Sequence, residues 1–239
     1  MNAATVPGSG PHLLVADIEV PELDEGEQHH LRRVLRLGDG ALVTVGDGRG
    51  RWRRAVLAGD ALEVTGPVES VARPHPPVTV AFALVKGERP EWIVQKLTEV
   101  GVDVIVPLVA ARSVVRWDER RRAHQSARLA RIVEAAVRQC RRLWAPTLGA
   151  LTPFDELVGM PGAVLAAPDG SPPRLDPDAG VTVLVGPEGG WAPDELARAR
   201  SRVALGPHVL RAETAAVTAG VLHVALREHL VAPGDGAAS

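Results

Sequence analysis

The first seventy residues carry short predicted strands separated by glycine–aspartate turns. The strands cover residues 12–15, 41–45, 51–57 and 62–68. Strands of this length, with turn residues such as Gly38-Asp39-Gly40 between them, are typical of a small β-barrel. Residues 25–37 depart from this pattern, because Leu31, Val34 and Leu35 fall on one face of a short helix. The pattern predicts a mostly β domain over residues 1–73.

Beyond residue 77, apolar strands alternate with helices. A stiff, proline-rich break at residues 72–77 separates the two patterns. The run at 78–84 carries no charge and predicts a buried strand, and further strands are predicted at 102–108, 163–167 and 181–185. Helices are predicted to begin near Pro90, Asp118, Thr152, Pro193 and Thr214, and the last one extends to about Leu230. We therefore predict an α/β domain with a mostly parallel sheet over residues 77–232 and a disordered tail over 233–239.

Composition fits a globular protein and narrows the possible chemistry. The 239 residues are 46% hydrophobic and 23% charged, with no signal-peptide pattern and no apolar run of membrane-spanning length, so a cytoplasmic location is expected. Cys140 is the only cysteine, which excludes an intramolecular disulfide and a cysteine-cluster metal site. The adjacent His29 and His30 cannot both face one metal from a helix. We expect no metal and no membrane association.

Charge is concentrated although the net charge is only −2. Ten arginines lie between Arg112 and Arg142, against three acids. A second basic cluster (Arg49, Arg51, Arg53 and Arg54) surrounds Trp52. Both clusters are suited to contact a phosphate backbone. The alternative is a solvated, arginine-biased surface, since the chain contains only two lysines.

Two glycine turns follow strands in the second domain. The strand at 181–185 runs into Gly186-Pro187-Glu188-Gly189-Gly190, and a helix begins near Pro193. Neither the dinucleotide fingerprint nor the P-loop is present, and three acids occupy the place where a phosphate would bind. The loop therefore favours a nucleoside-like or cationic ligand. The second turn, Leu205-Gly206-Pro207, also precedes a helix, so the two turns can wall one pocket.

The paired turns carry a family resemblance. GPEGG followed by LG-x-x-x-LR-x-ET-A-A resembles the C-terminal signature of ribosomal RNA uridine-N3 methyltransferases of the RsmE type, in the SPOUT superfamily. The first domain is similar to the family's PUA-like barrel through His29-His30-Leu31-x-x-Val34-Leu35-Arg36. Arg112-Ser113 matches a further family pair, whereas Gln139-Cys140-Arg141-Arg142 departs from the usual Gln-Ser-Gly-Arg.

The resemblance implies a fold, a reaction and partners. It implies a trefoil knot over about residues 163–230 and S-adenosylmethionine-dependent methylation of uridine N3 in 16S ribosomal RNA, on the assembled small subunit. It also implies a homodimer. Two alternatives stay open: a non-catalytic RNA- or ribosome-binding module, and a SPOUT methyltransferase that acts on another RNA such as tRNA. Trp117 and Trp191 are possible stacking platforms for a base.

Site residues follow from the matched positions. Cofactor binding is expected at Ala166, Val185, Gly186, Pro187, Glu188, Gly189, Gly190, Leu205, Gly206, Leu210, Thr214, Ala215 and Ala216. RNA contacts are expected at His30, Arg36, Arg51, Arg53, Arg112, Ser113, Arg116, Arg138 and Arg142. Arg211 is expected to stabilise negative charge on a uracil carbonyl, and Glu213 to orient Arg211 or help remove the N3 proton. Alternatively, Arg211 and Glu213 form a structural ion pair.

Overall fold

The computed structural model describes residues 10–115 and 117–232, except for the side chain of Glu119. The chain divides into two compact units. Residues up to Arg73 form the first unit together with Glu134–Ala145, and Pro74–Val133 form the second unit together with the residues from Pro146 onward. The sequence analysis assigned residues 134–145 to the second domain, whereas in the structure these residues pack with the first unit. The predicted domain bounds stay a prediction. The predicted disordered tail lies outside the described residues.

The first unit is built on a five-stranded sheet. Its strands are β1 (His12–Leu14), β2 (Leu42–Gly46), β3 (Arg51–Ala58), β4 (Ala61–Val64) and β5 (Glu69–Ser70). The order is β1-β2-β3-β4, with β5 paired to β3. Strands β1 and β2 are parallel, and the other pairs are antiparallel. Alternate positions face one apolar core, which includes Leu13, Val43, Val45, Ala55 and Leu57.

The predicted helix of the first unit changes type half-way along. Helix α1 (Glu25–His29) begins at a capping box, in which the Asp24 side chain accepts from the Glu27 N–H and the Glu27 side chain accepts from the Asp24 N–H. A π-helical turn (His30–Val34) follows, because the Leu35 N–H donates to the His30 carbonyl five residues back. The turn buries Leu31 and leaves Val34 and Leu35 exposed.

Residues 134–145 belong to the first unit through specific contacts. The Trp144 indole N–H donates to the Val71 carbonyl at 3.0 Å. Leu143 packs against Trp52 in a small apolar cluster, and its carbonyl accepts from the Gly50 N–H at 3.0 Å. Gly50 has φ +91°, and a Cβ there would lie 2.5 Å from the Trp144 ring. Only glycine combines that conformation with this close approach.

The second unit contains a seven-stranded sheet in which every described pair is parallel. Its strands are β6 (Val78–Ala83), β7 (Val104–Val109), β8 (Thr147–Leu148), β9 (Thr152–Pro153), β10 (Ala163–Ser171), β11 (Val181–Val185) and β12 (Arg202–Val203). The order is β12-β10-β11-β6-β7-β8, with β9 also paired to β7. The prediction of a mostly parallel α/β sheet is confirmed. The predicted trefoil knot stays a prediction.

Helices follow the strands. They are α2 (Arg89–Val100), α3 (Glu119–Cys140), α4 (Phe154–Leu157), α5 (Pro193–Arg198) and α6 (Ala212–Arg227). Helix α6 packs against α2 and β6. Gly220 makes this approach possible, because a Cβ at that position would lie 2.8 Å from Leu97 Cδ2 and 2.9 Å from Val102 Cγ2. In the described part of the chain, no helix is long and apolar enough to cross a bilayer.

A buried ion pair fixes the end of α6. The Arg227 guanidinium bonds the Asp103 carboxylate, and both side chains are almost fully buried. Asp103 also accepts from the Val78 N–H at 2.9 Å, and Arg227 donates to the Gly101 carbonyl at 3.0 Å. The pair therefore joins the last turn of α6 to the beginning of β6 and to the loop before β7.

Candidate functional site

A cavity of about 320 Å³ lies where the carboxyl ends of β10 and β11 meet the loops that precede α5 and α6. That volume is within the range of small-molecule sites, about 300–1,000 Å³. Segments 166–169, 185–191 and 202–212 provide most of its wall. Because parallel strands leave their carboxyl ends at one edge of a sheet, both glycine turns reach the same opening.

Most of the predicted cofactor residues line this cavity. They are Ala166, Val185, Gly186, Pro187, Glu188, Gly190, Leu205, Gly206, Leu210 and Ala215. Gly189, Thr214 and Ala216 do not line it: Ala216 is buried in the core, and Thr214 is exposed. Nine further lining residues were not among the predicted cofactor contacts, although Ala167, His208 and Val209 lie in loops expected at the site: Ala167, Pro168, Asp169, Trp191, Leu196, Arg202, His208, Val209 and Ala212. Their types carry no signal of their own, because only the strand register brings them to the opening.

Trp191 forms a rigid part of the wall. Its indole N–H donates to the Ala166 carbonyl at 3.0 Å, and its ring lies 5.4 Å from the Phe154 ring. The ring also covers Gly186, where a Cβ would lie 3.0 Å from Trp191 Cε2. Trp117 and Trp191 are both buried, and Trp191 lines the cavity. Stacking of a base on either ring stays a prediction.

Buried Glu195 connects the glycine loop to the loop after β7. Its carboxylate accepts from the Ala111 N–H at 2.7 Å and from the Ala192 N–H at 2.8 Å. Arg112 Nη1 donates to the Gly189 carbonyl at 3.0 Å. The predicted Arg-Ser pair therefore lies against the glycine loop. Ser113 itself is buried and accepts from the Ala110 N–H, so its expected RNA contact is not supported by the structure.

Arg89 is a further charged residue near the cavity that the sequence analysis did not predict. Its guanidinium lies 2.8 Å from Glu188 Oε1 and 3.8 Å from Glu213 Oε1. Glu213 Oε2 is buried without a hydrogen-bond partner among the described residues. Arg211 is exposed, and the described ion pair of Glu213 is with Arg89. The alternative of an Arg211–Glu213 structural pair is therefore not what the structure shows. The sequence signal was the position of Arg89 at the start of α2, the helix that follows β6.

The remaining predicted RNA contacts have different environments. In the first unit, His30 and Arg36 are exposed, and Arg36 has φ 55°. Arg51 and Arg53 both pair with Glu19, at 2.7 and 3.4 Å. Arg138 lies 3.4 Å from Glu27.

Two predicted contacts need separate mention. Arg142 is buried, so the structure removes it from an RNA-facing surface. Arg116 lies outside the described residues. Within residues 10–115 and 117–232, no cluster of three His, Cys, Asp or Glu side chains could hold a metal ion.

Comparison with known proteins decides the family. A model described as an RNA methyltransferase domain matches residues 73–223, and one described as an RNA methyltransferase PUA domain matches residues 23–65. The chain belongs to the RNA methyltransferase family. Relatives named ribosomal RNA small subunit methyltransferase E include that of Mycobacterium tuberculosis, 36% identical over 220 residues and 84% of each chain. That of Synechocystis is 32% identical over 231 residues, which are 87% of this chain and 75% of the relative. The resemblance predicted from the glycine motifs is confirmed.

Solved RNA methyltransferase structures share this architecture. A Legionella pneumophila protein described as a methyltransferase, in complex with the cofactor SAM, has a TM-score of 0.77 at 28% identity. The alignment covers 91% of this chain and 98% of that one. A ribosomal RNA small subunit methyltransferase E from Neisseria gonorrhoeae, bound to S-adenosyl methionine, has a TM-score of 0.77 at 24% identity, over 93% and 98% of the two chains. The second likeness shows the fold alone.

Proposed function

We propose that this RNA methyltransferase transfers a methyl group from S-adenosylmethionine to N3 of a uridine in 16S ribosomal RNA, on the assembled small subunit. One observation carries the proposal: two glycine turns wall a single cavity in a chain whose relatives are named ribosomal RNA small subunit methyltransferases. The reaction would take place in the cytoplasm, where that RNA is found.

The cavity fits the proposed cofactor. Val185, Leu205 and Leu210 supply apolar walls for an adenine ring. Glu188 and Asp169 bring carboxylates to the same wall, which suits the cationic groups of the cofactor. Gly190 has φ +68°, so the loop turns in a conformation that side chains rarely adopt and exposes its backbone groups. When bound, S-adenosylmethionine supplies a methyl group on a positively charged sulfur.

The residues at the start of α6 fit the chemistry of the uridine. Uracil N3 carries a proton, which must leave as the nitrogen becomes a nucleophile. We assign the stabilisation of the resulting negative charge on a uracil carbonyl to Arg211, which is exposed between the lining residues Leu210 and Ala212. We assign proton removal to Glu213, because Arg89 holds one carboxylate oxygen while the other has no described donor.

Kinetics of two variants test these assignments. We expect Arg211→Ala and Glu213→Gln each to lower kcat about a hundredfold or more, while calorimetry gives nearly unchanged cofactor affinity. The substrate is small subunits from a strain that lacks the modification, and the modified base is mapped by mass spectrometry. Full activity of either variant would remove the role proposed for that residue.

The same experiment separates the alternatives. Absence of S-adenosylmethionine binding by the wild-type chain would favour a non-catalytic RNA-binding module. Binding with methylation of tRNA, and none of 16S RNA, would favour the second alternative. A product methylated at a position other than N3 would contradict the proposed chemistry.

We also propose that the active form is a homodimer. Val209 supports this, because an apolar side chain that lines the cavity is 91% exposed in the single chain. A second chain that covers Val209 would complete the wall of the cavity. Light scattering on an active sample checks the proposal, and a fully active monomer would contradict it.

A further inference from the structure

A second cavity lies entirely within the first unit. It is a groove of about 660 Å³ formed by residues 10–13, the π-helical turn and the end of α3. Its apolar wall consists of Pro11, Leu13, Leu35 and Ala135. Five polar or charged side chains also reach it: His12, His30, Arg138, Gln139 and Arg141. An apolar groove with a few convergent polar groups is the usual form of a ligand site.

The hydrogen bonds of His12 determine what its ring offers to a ligand. His12 Nδ1 lies 3.0 Å from Thr44 Oγ1, and the Thr44 hydroxyl is placed to donate to the Pro11 carbonyl at 3.3 Å. A hydroxyl that donates there accepts from the ring, so we place the hydrogen on Nδ1. His12 Nε2 is then a hydrogen-bond acceptor. His12 is only 3% exposed, and Nε2 has no partner among the described residues.

Charges at the groove complement this acceptor. Burial, and next the positive charge of Arg141, lower the pKa of His12 to about 4, which keeps the ring neutral near pH 7. Arg138 Nη2 lies 3.4 Å from Glu27, and Arg138 Nε has no hydrogen-bond partner among the described residues. The groove thus combines a buried acceptor, guanidinium donors and the Gln139 amide, which provides both a donor and an acceptor.

We propose that this groove binds an unstacked nucleobase of the RNA substrate, at a nucleotide other than the one that is methylated. A nucleobase has apolar faces, and its edge carries both N–H donors and carbonyl or ring-nitrogen acceptors. A base N–H would donate to the exposed Gln139 amide oxygen, and a base acceptor would receive a hydrogen bond from the Gln139 amide or from Arg138. A phosphate matches the groove less well, because it has no apolar face to pack on Pro11 and Leu35 and no N–H group to donate to the Gln139 oxygen. The inference rests on the proposed function for the identity of the RNA.

A filling substitution tests the groove. Ala135 is exposed on α3 and lines the groove, so Ala135→Trp fills it without removing a charge or a hydrogen bond. Ala130→Trp is the matched control, since Ala130 is exposed on the same helix and does not line the groove. With small subunits from a strain that lacks the modification as the probe, we expect Ala135→Trp to weaken binding at least about tenfold. The control should bind like the wild type, and both variants should bind S-adenosylmethionine normally.

A second variant and chemical probing separate base binding from simple obstruction. Gln139→Ala removes an exposed amide without filling the groove, and we expect it to weaken RNA binding about threefold or more. In dimethyl sulfate and carbodiimide probing, the wild-type chain should protect the Watson–Crick edge of one unpaired base besides the target. That protection should disappear with Ala135→Trp and persist with Ala130→Trp.

The outcomes distinguish this inference from the proposed function. If the Ala135→Trp and Gln139→Ala variants keep wild-type RNA affinity and unchanged base protection, the proposal that the groove binds a nucleobase is contradicted, even if methylation is normal. If the wild-type chain binds the small subunit through the groove but methylates no uridine, the proposed function fails and the groove stands. Failure of the wild-type chain to bind the small subunit at all would overturn the base-binding role of the groove.

Discussion

Arg89 shows how one residue at the edge of a sheet serves two loops. Its guanidinium contacts Glu188 of the glycine loop and Glu213 of α6, so two carboxylates near the cavity share one cation. Without that cation, the two negative charges would repel each other and would need other partners. We therefore regard Arg89 as a positioning residue for both.

Replacing Arg89 tests this role. We expect Arg89→Ala to lower kcat about tenfold, because Glu213 loses the contact that orients it, and Arg89→Lys to recover part of the loss. Arg128→Ala is the control, since Arg128 of α3 pairs with Glu91 of α2 and does not line the cavity. Steady-state methylation kinetics provide the measurement. Equal activity of Arg89→Ala and the control would contradict the role.

Gly186 is required by the position of Trp191. Because a Cβ at residue 186 would lie 3.0 Å from the Trp191 ring, Gly186→Ala must displace the ring and weaken its bond to Ala166. We expect S-adenosylmethionine to bind about tenfold more weakly, measured by calorimetry. Gly38→Ala is the control, since a Cβ there meets nothing within 4 Å. Unchanged affinity in Gly186→Ala would show that the Trp191 wall does not contact the cofactor.

His12 predicts a pH dependence of stability. Its pKa is about 4 in the folded chain, whereas an unfolded histidine titrates near 6.5. Between these values the unfolded state binds a proton that the folded state does not, so the free energy of unfolding falls as pH falls. The loss approaches about 3 kcal/mol below pH 4.

Urea unfolding of a variant isolates this contribution. We expect His12→Asn to lose much less stability than the wild type between pH 7 and pH 4.5. His223 is also buried with a lowered pKa and destabilises the chain in the same direction, so only the difference between the two proteins is informative. Exposed His124→Asn is the control. Parallel pH curves for the wild type and His12→Asn would contradict the assignment.

At the scale of elements, periodicity predicted the central strands because burial on both faces leaves an uninterrupted apolar run. The expected strand at 181–185 matches β11, and the expected strand at 78–84 is one residue longer than β6. Strand β10 was predicted too short, because residues 168–171 read as a loop. Pairing with β12 extends β10 to Ser171, where a Cβ on Gly170 would lie 2.3 Å from the Val203 backbone. Such pairing is decided by distant residues, which no local pattern encodes.

The close packing of α6 on α2 makes a further prediction at this scale. Gly220→Val must push Leu97 and Val102 apart, so we expect a loss of about 1–3 kcal/mol in the free energy of unfolding. Val221→Ala is the control, since Val221 is exposed on the same helix. Denaturant titration measures both. If the Gly220→Val chain is as stable as the control, the α6–α2 interface accommodates the larger side chain with no loss in the free energy of unfolding, which would contradict the prediction.

At the scale of the whole molecule, the sequence predicted the kind of site better than the roles of its charged residues. The glycine turns and the strands before them indicated the cavity, because turn chemistry is local. The contacts of Arg89, Ser113 and Arg142 were not predicted, since an arginine or serine has the same local signal whether it is buried, paired or exposed. Net charge was equally uninformative, because acids such as Glu19 and Glu27 offset the basic clusters from distant positions in the chain.

The composition of the first unit from two separate segments affects how the protein is made. Trp52 is covered by Leu143, and Trp144 donates to Val71, so the unit lacks part of its core until residue 144 has been synthesised. Residues 1–73 therefore emerge from the ribosome well before their own partners do. While about seventy more residues are being translated, the Trp52 side chain of the nascent sheet lacks its contact with Leu143. A gene fragment that ends after Arg73 would encode a first unit with the same exposed tryptophan.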